Sequence, residues 1–150
     1  MNPPKKSSRA KALQAGYKSG LEDSIFNQMK EEGVYIEYEP FKIPYKFPAS
    51  THKYTPDFVL NNGIVIETKG RFVPADRKKH LLVKEQYPEL DVRFVFSNSR
   101  SKLRKGSPTS YADWCKKYGF MYTDKWIPGE WVEEDEIKPS LSIIKKLRAS

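Results

Sequence analysis

The sequence predicts an α/β domain in which helices flank a mixed central β-sheet. Two kinds of segment are interspersed along the chain: in some, apolar residues recur at helical spacing, and in others they alternate or form short runs. The order is helix, strand, connector, hairpin, helix, strand, helix, strand. A chain of 150 residues, 38% of them hydrophobic, is long enough to bury one core.

Three helices are predicted in the first four-fifths of the chain. The first covers residues 19–32 and stops at Gly33. Ser19 and Glu22 fit a capping box at its start, which gives Glu22 a complete structural role. The other two are predicted over residues 75–86 and 110–118.

Strands are predicted over residues 34–39, 91–96 and 120–123. Between the first strand and the hairpin, three prolines at positions 40, 44 and 48 stiffen the connector. This segment could be an edge strand with an ordinary proline-rich loop, or a hinge that exchanges elements between subunits. The residues alone favour the edge strand.

The most informative segment is a predicted β-hairpin over residues 54–70, with Asn61-Asn62-Gly63 as its turn. A loop of these three residues pairs Asp57 with Glu67 on one face of the sheet, and Lys69 follows two positions along on the same side. A two-residue loop would place the two carboxylates on opposite faces. Because the chemistry of the site needs them together, we expect the three-residue loop.

Two carboxylates about 5 Å apart repel each other by about 3 kcal/mol at an effective dielectric constant near 20. Such a pair needs a cation, a shared proton or full exposure to water. Magnesium is commonly held by one or two carboxylates together with waters and substrate phosphates, and Lys69 could orient an attacking water or stabilise developing charge. The alternative is an acidic pair and a lysine on a solvated strand face.

The formal charge of +8 favours a polyanionic partner, either nucleic acid or an anionic membrane. No apolar run approaches a membrane span, and we expect no signal peptide, which leaves nucleic acid as the favoured partner and no membrane association. The single Cys115 suits a reducing cytoplasm and a buried position, and one Cys with two His gives no zinc-site spacing.

Basic residues in three regions are candidates for contact with DNA phosphates: a basic N-terminal arm, the exposed side of the helix over 75–86, and a polar loop over 98–110. They are Lys5, Lys6, Arg9, Lys11, Arg77, Lys78, Lys79, His80, Arg100, Lys102, Arg104 and Lys105. The alternative for any one of them is a solvated surface charge.

Pro56-Asp57 followed by Glu67-Thr68-Lys69 resembles the PD-(D/E)xK nuclease motif. A longer resemblance, over roughly residues 17–131, is to the endonuclease I family of bacteriophage T7, a family of four-way DNA junction resolvases. The segments that carry it are SGLED at 19–23, YTPDF at 54–58, ETKG at 67–70, DRKKHLL at 76–82 and KGSPTSY at 105–111.

The resemblance implies a restriction-endonuclease-like core with a catalytic set of Glu22, Asp57, Glu67 and Lys69. Asp57, Glu67, the Thr68 carbonyl and Glu22 would hold the metal, which we expect to be Mg²⁺, with Mn²⁺ as a substitute and two ions per active site. It further implies a domain-swapped homodimer in which Glu22 comes from one chain and the rest of the site from the other. In that arrangement the segment 44–48 is the bridge, so the family favours the swap.

The expected organisation is a mobile basic arm over 1–16, a nuclease domain over 17–132 and a peripheral tail over 133–150. The expected activity is metal-dependent hydrolysis of phosphodiesters in four-way (Holliday) and other branched DNA junctions. The expected location is the cytoplasm, that of the bacterial host if a phage encodes the protein. The alternatives are a sequence-specific nuclease of restriction type and a non-catalytic junction-binding protein.

Overall fold

The computed structural model of the protein describes residues 20–47 and 50–150, and the predicted N-terminal arm lies outside them. Helices and strands alternate along this part of the chain. The helices are α1 (Gly20–Glu31), α2 (Pro74–Gln86), α3 (Tyr111–Tyr118), α4 (Gly129–Glu133) and α5 (Lys138–Arg148). The strands are β1 (Glu37–Tyr38), β2 (Ile43–Phe47), β3 (Ser50–Tyr54), β4 (Phe58–Val59), β5 (Ile64–Lys69), β6 (Asp91–Phe96) and β7 (Tyr122–Asp124).

Five strands form a mixed sheet in the order β1-β4-β5-β6-β7. The pairs β1–β4 and β4–β5 are antiparallel, whereas β5–β6 and β6–β7 are parallel. The predicted α/β class with a mixed sheet flanked by helices is therefore confirmed. Strands β2 and β3 pair with each other in a separate two-stranded sheet, and β2 contains Pro44 of the proline-rich connector.

The hairpin β4–β5 has the predicted register. Phe58 lies opposite Ile66 and Val59 opposite Val65, as a three-residue loop requires. The Leu60 N–H donates to the Ile64 carbonyl at 2.9 Å and closes the loop. Position 63 has φ of +98°, a conformation that glycine adopts without the steric penalty of a side chain.

The sheet buries a different core on each face. On one face, α1 places Ile25 and Met29 against Phe58, Ile64 and Ile66. The other face packs against α2, α3 and α5 around an aromatic cluster that includes Phe72, Phe94, Phe96, Trp114 and Phe120. Because Ile66 faces α1, its neighbour Glu67 projects on the side of α2, where it lies near His80.

Helix α5 corrects the expectation that residues 133–150 are peripheral. Ile144 is 4% exposed and belongs to the core on the α2 side of the sheet. The Ser140 hydroxyl donates to the Gly63 carbonyl at 2.7 Å and accepts the Asp91 N–H at 3.0 Å, so it joins the hairpin turn to the start of β6. The expectation was wrong because the helix is amphipathic and buries its apolar side.

Two predicted strands are shorter than expected, for local reasons. The Val34 N–H donates to the Met29 carbonyl at 2.8 Å and still belongs to the end of α1, so β1 begins only at Glu37. The Phe120 N–H donates to the Cys115 carbonyl at 2.8 Å, beyond the left-handed Gly119 that ends α3, so β7 begins after it.

Candidate active site

Asp57, Glu67 and Lys69 lie at the end of the five-stranded sheet where β5 ends, and N–H groups of the hairpin backbone bond to both carboxylates. The Asp57 N–H donates to Glu67 Oε2 at 3.0 Å. The Thr68 N–H and Oγ1 both donate to Asp57 Oδ2, at 2.9 and 3.0 Å. Backbone and side chain of the hairpin therefore fix each carboxylate relative to the other.

Two further residues, which sequence analysis did not assign to the site, lie against Glu67. The Tyr54 hydroxyl donates to Glu67 Oε2 at 2.6 Å, and His80 Nε2 lies 3.7 Å from Glu67 Oε1. The two rings meet edge to face, with centroids 5.2 Å apart. The only sequence signal for Tyr54 was its place in YTPDF, since an aromatic residue at a strand end usually packs in a core.

The prediction that His80 lies on the exposed side of α2 is wrong. His80 is 1% exposed and packs against Phe94 beneath the sheet. Burial, followed by the charges of Lys69 and Lys79, lowers the pKa of His80 well below its usual value, so the ring is neutral. A buried ring offers no surface to a DNA phosphate, and His80 therefore does not belong with the exposed candidates.

The Glu67 carboxyl is 2% exposed, and its pKa is raised to about 8. Burial is the largest cause, and the nearby negative charge of Asp57 is the second. The charge of Lys69 and the hydrogen bonds from Tyr54 and the Asp57 N–H act in the opposite direction without cancelling them. The carboxylate pair is therefore short of positive charge, which is the environment that a bound cation would relieve.

This raised pKa predicts how stability depends on pH in the metal-free protein. Glu67 takes up a proton on folding between its ordinary pKa of 4.5 and about 8, so the free energy of unfolding should fall as the pH rises through this window. Glu67→Gln should remove this slope, because the amide does not titrate. Thermal melting of both proteins in chelator should then show the variant gaining most over the wild type near pH 8. An equal gain at pH 5 would contradict the assignment.

The Lys69 ammonium lies beside the carboxylates on the same strand. Its Nζ is 3.5 Å from Asp76 Oδ1 on α2, and its side chain is 13% exposed. Asp76 also lies 3.8 Å from Lys79 Nζ. The lysine is therefore held at the rim of the site, where it can still approach a ligand from solution.

Glu22 is 4% exposed and lies in the first turn of α1, which packs on the other face of the sheet from Glu67. It accepts a hydrogen bond of 3.1 Å from the Tyr38 hydroxyl. Within residues 20–47 and 50–150, no three His, Cys, Asp or Glu side chains form a group that could hold a metal ion.

Of the other predicted DNA-contacting residues, Lys5, Lys6, Arg9 and Lys11 lie outside the described part of the chain, and the rest divide by exposure. Arg77 and Lys79 are half-buried, and the Arg77 guanidinium donates to the Phe72 carbonyl at 2.7 Å. The exposed members are Lys78, Arg100, Lys102, Arg104 and Lys105.

Among the residues that the structure describes, no helix is both long enough and apolar enough to cross a membrane.

Comparison with known proteins identifies the family. The model of the phage endonuclease I family matches residues 4–150. Endonuclease I of Escherichia phage T7 is 53% identical over 130 residues, which cover 87% of each chain. Endodeoxyribonuclease 1 of Enterobacteria phage T3 is 58% identical over 118 residues, 79% of this chain and 78% of the relative. The chain belongs to the phage endonuclease I family and is an endonuclease.

Proposed function

We propose that the protein is a structure-selective endodeoxyribonuclease that resolves four-way and other branched DNA junctions by divalent-metal-dependent hydrolysis, in the cytoplasm of a bacterial host. Its family and two relatives that are named as endonucleases support a DNA substrate. The observation that carries the proposal is the pairing of Asp57 with Glu67 beside Lys69.

The donor set fits a hard divalent cation. Asp57 and Glu67 supply carboxylate oxygens, and the Thr68 carbonyl and Glu22 complete the ligands that we propose for Mg²⁺ or Mn²⁺, with two ions per active site. Two carboxylates with waters and phosphate oxygens satisfy magnesium, so one chain need not supply three acidic side chains. A bound divalent ion would supply Lewis-acid chemistry, lowering the pKa of water and neutralising phosphate charge.

The residues of the chain position these groups before substrate arrives. Tyr54 and the Asp57 N–H hold one oxygen of Glu67, and Thr68 holds one oxygen of Asp57. Each carboxylate thereby keeps a fixed orientation before a cation binds. Lys69 adds a positive group that can orient the attacking water or stabilise charge on the phosphate as it develops.

We further propose a domain-swapped homodimer with segment 44–48 as the bridge, so that each active site combines Glu22 of one chain with Asp57, Glu67 and Lys69 of the other. Helix α1 precedes the β2–β3 connector and the catalytic hairpin follows it, so an exchange at the connector would separate the two parts. Two sites held by one rigid dimer can test whether two phosphates have a separation and angle that linear duplex does not offer. Such selectivity depends on shape and carries no base code.

Mixed dimers test the shared site. Glu22→Ala and Glu67→Ala chains with different tags can be co-expressed, and the mixed dimer isolated by two affinity steps. Each homodimer should cleave a four-way junction at least about 1000-fold more slowly than the wild type, the effect of losing several kcal/mol of transition-state stabilisation.

In the mixed dimer, one site should be intact, with Glu22 from the Glu67→Ala chain and the other three residues from the Glu22→Ala chain. It should nick one strand of the junction at about half of the wild-type rate, since one of two sites remains. A mixed dimer as inactive as both homodimers would show that Glu22 and Glu67 act from the same chain. The variants' melting temperatures are the control for folding.

A further inference from the structure

We propose that Trp126 is a stacking platform for an unpaired base of branched DNA beside the active site, and that Lys125 and Arg100 contact the phosphates that flank this base. The inference rests on the proposed function and names a surface through which the protein would favour branched DNA that exposes an unpaired base over linear duplex.

Trp126 lies at the same edge of the sheet as the predicted catalytic lysine. The parallel strands β5, β6 and β7 end in one row, where Lys69 lies opposite Phe96 and Phe96 opposite Asp124. Residues 125 and 126 directly follow Asp124, the last residue of β7. Neighbouring strands are about 4.8 Å apart, so the end of β7 lies about 10 Å from the end of β5, close enough for one nucleic-acid strand to contact both.

The backbone on each side of Trp126 is anchored. The Lys125 N–H donates to the Phe96 carbonyl at 2.8 Å, and Lys125 itself has φ of +66°, an uncommon conformation for a residue with a side chain. On the other side, the Gln28 side chain makes two hydrogen bonds to the backbone of Ile127, at 2.8 and 2.9 Å, and Ile127 is 1% exposed.

Despite these anchors, the Trp126 side chain is 54% exposed, whereas Trp114 and Trp131 are both 5% exposed. An indole held on a fixed backbone loses little conformational freedom when a base stacks on it. Base–aromatic stacking tolerates any base, because every base has a π-face. An exposed indole on an anchored backbone therefore suits an unpaired nucleotide whose sequence varies.

The charges around Trp126 favour nucleic acid over an apolar partner. Lys125 precedes it in the chain and is exposed. The Asp124 carboxylate accepts the Ser99 N–H at 2.7 Å and the Ser99 hydroxyl at 2.9 Å, so the turn that carries the exposed Arg100 is joined to β7. Cationic side chains beside an exposed aromatic ring are the usual composition of surfaces that bind single strands.

Acrylamide quenching of tryptophan fluorescence tests the proposal directly, in chelator so that DNA stays uncut. Of the three tryptophans in the chain, Trp126 is the exposed one, so Trp126→Phe should remove most of the quenchable emission. A four-way junction with unpaired bases at its branch point should protect Trp126 at saturation, and a short single strand should do so too. A linear duplex should not.

A junction that binds at saturation while Trp126 remains fully quenchable would overturn the proposal and leave the proposed function standing. If no junction binds, the proposed function fails instead, and protection by the single strand still decides whether Trp126 is a stacking platform.

Affinity measurements with a matched control variant are a second, independent test of the proposal. Trp126→Leu should weaken binding of the junction with unpaired bases by about tenfold, the loss of one base–aromatic stack, and Trp126→Phe should retain most of the affinity. Tyr35 is 64% exposed and lies beside Leu60 and Asn61, at the hairpin turn on the opposite edge of the sheet. Tyr35→Leu should therefore bind as the wild type does. Equal affinity of Trp126→Leu and wild type would contradict the proposal.

Discussion

Replacing Glu67 by glutamine is expected to slow cleavage of a four-way junction by at least about 1000-fold. The amide has the size of the carboxylate and can still accept the hydrogen bond from Tyr54, so the fold of the site should survive. What it loses is half of the negative charge that Asp57 and Glu67 present to a cation. Several kcal/mol of transition-state stabilisation depend on that charge, at 1.36 kcal/mol for each tenfold in rate.

Junction binding by the same variant in chelator should be unchanged at neutral pH, where a pKa of about 8 leaves Glu67 mostly protonated, and tighter above pH 8, where a charge that repels the DNA backbone is removed. Binding should be measured in chelator and cleavage in magnesium under single-turnover conditions, so that the two effects are separated. Glu136→Gln is the matched control, since Glu136 is exposed beside the hairpin turn, at the opposite end of β5 from Glu67, and its loss should leave both quantities as in the wild type. Cleavage by Glu67→Gln at the wild-type rate would remove Glu67 from the site.

The hairpin could be predicted residue by residue because its determinants are local. Strand residues alternate with period two, so the loop length fixes which side chains share a face, and Gly63 supplies the positive φ that the three-residue loop needs. The pairing of Asp57 with Glu67 follows from this register. The mixed sheet followed in the same way from the order of the segments.

The contacts of Glu67 with Tyr54 and His80 could not be predicted from the sequence, because they join residues that are distant in sequence. His80 lies in a helix with lysines on both sides of it in the chain, and this composition indicated a solvated face. Its burial depends on where Tyr54, Phe94 and Glu67 meet α2 across the sheet. Tertiary packing of this kind overrides what composition indicates.

Helix α5 differs from His80, because the sequence does contain a pattern that indicates the buried side of the helix. Ser140, Ile144 and Leu147 recur at helical spacing, and all three are buried. The acidic run at residues 133–136, before the helix, indicated a peripheral segment instead. One of its carboxylates, on Glu134, binds the buried Arg93 guanidinium, which also pairs with Asp91. The segment before α5 is thus tied to the core by charge as well as by apolar contact.

Selectivity for branched DNA is the second large effect that we expect. At equal concentration and with magnesium, the wild type should cleave a fixed four-way junction at least about 100-fold faster than a linear duplex of the same sequences. The reason is geometric: in the proposed dimer, two fixed sites would engage both cleavage positions only when the DNA supplies two phosphates in the right relative orientation. A misplacement of about 1 Å can cost 100-fold in rate, so a substrate that cannot satisfy both sites should react far more slowly.

The central claim is tested most directly by incubating purified protein with these two substrates. The conditions are magnesium or manganese, chelator, and chelator followed by excess magnesium. We expect junction cleavage that is absent in chelator, restored by magnesium and supported by manganese, with little cutting of the duplex. Comparable cutting of the duplex at one fixed sequence would instead indicate a nuclease of restriction type. Junction cleavage that persists in chelator would contradict the metal-dependent site at Asp57 and Glu67.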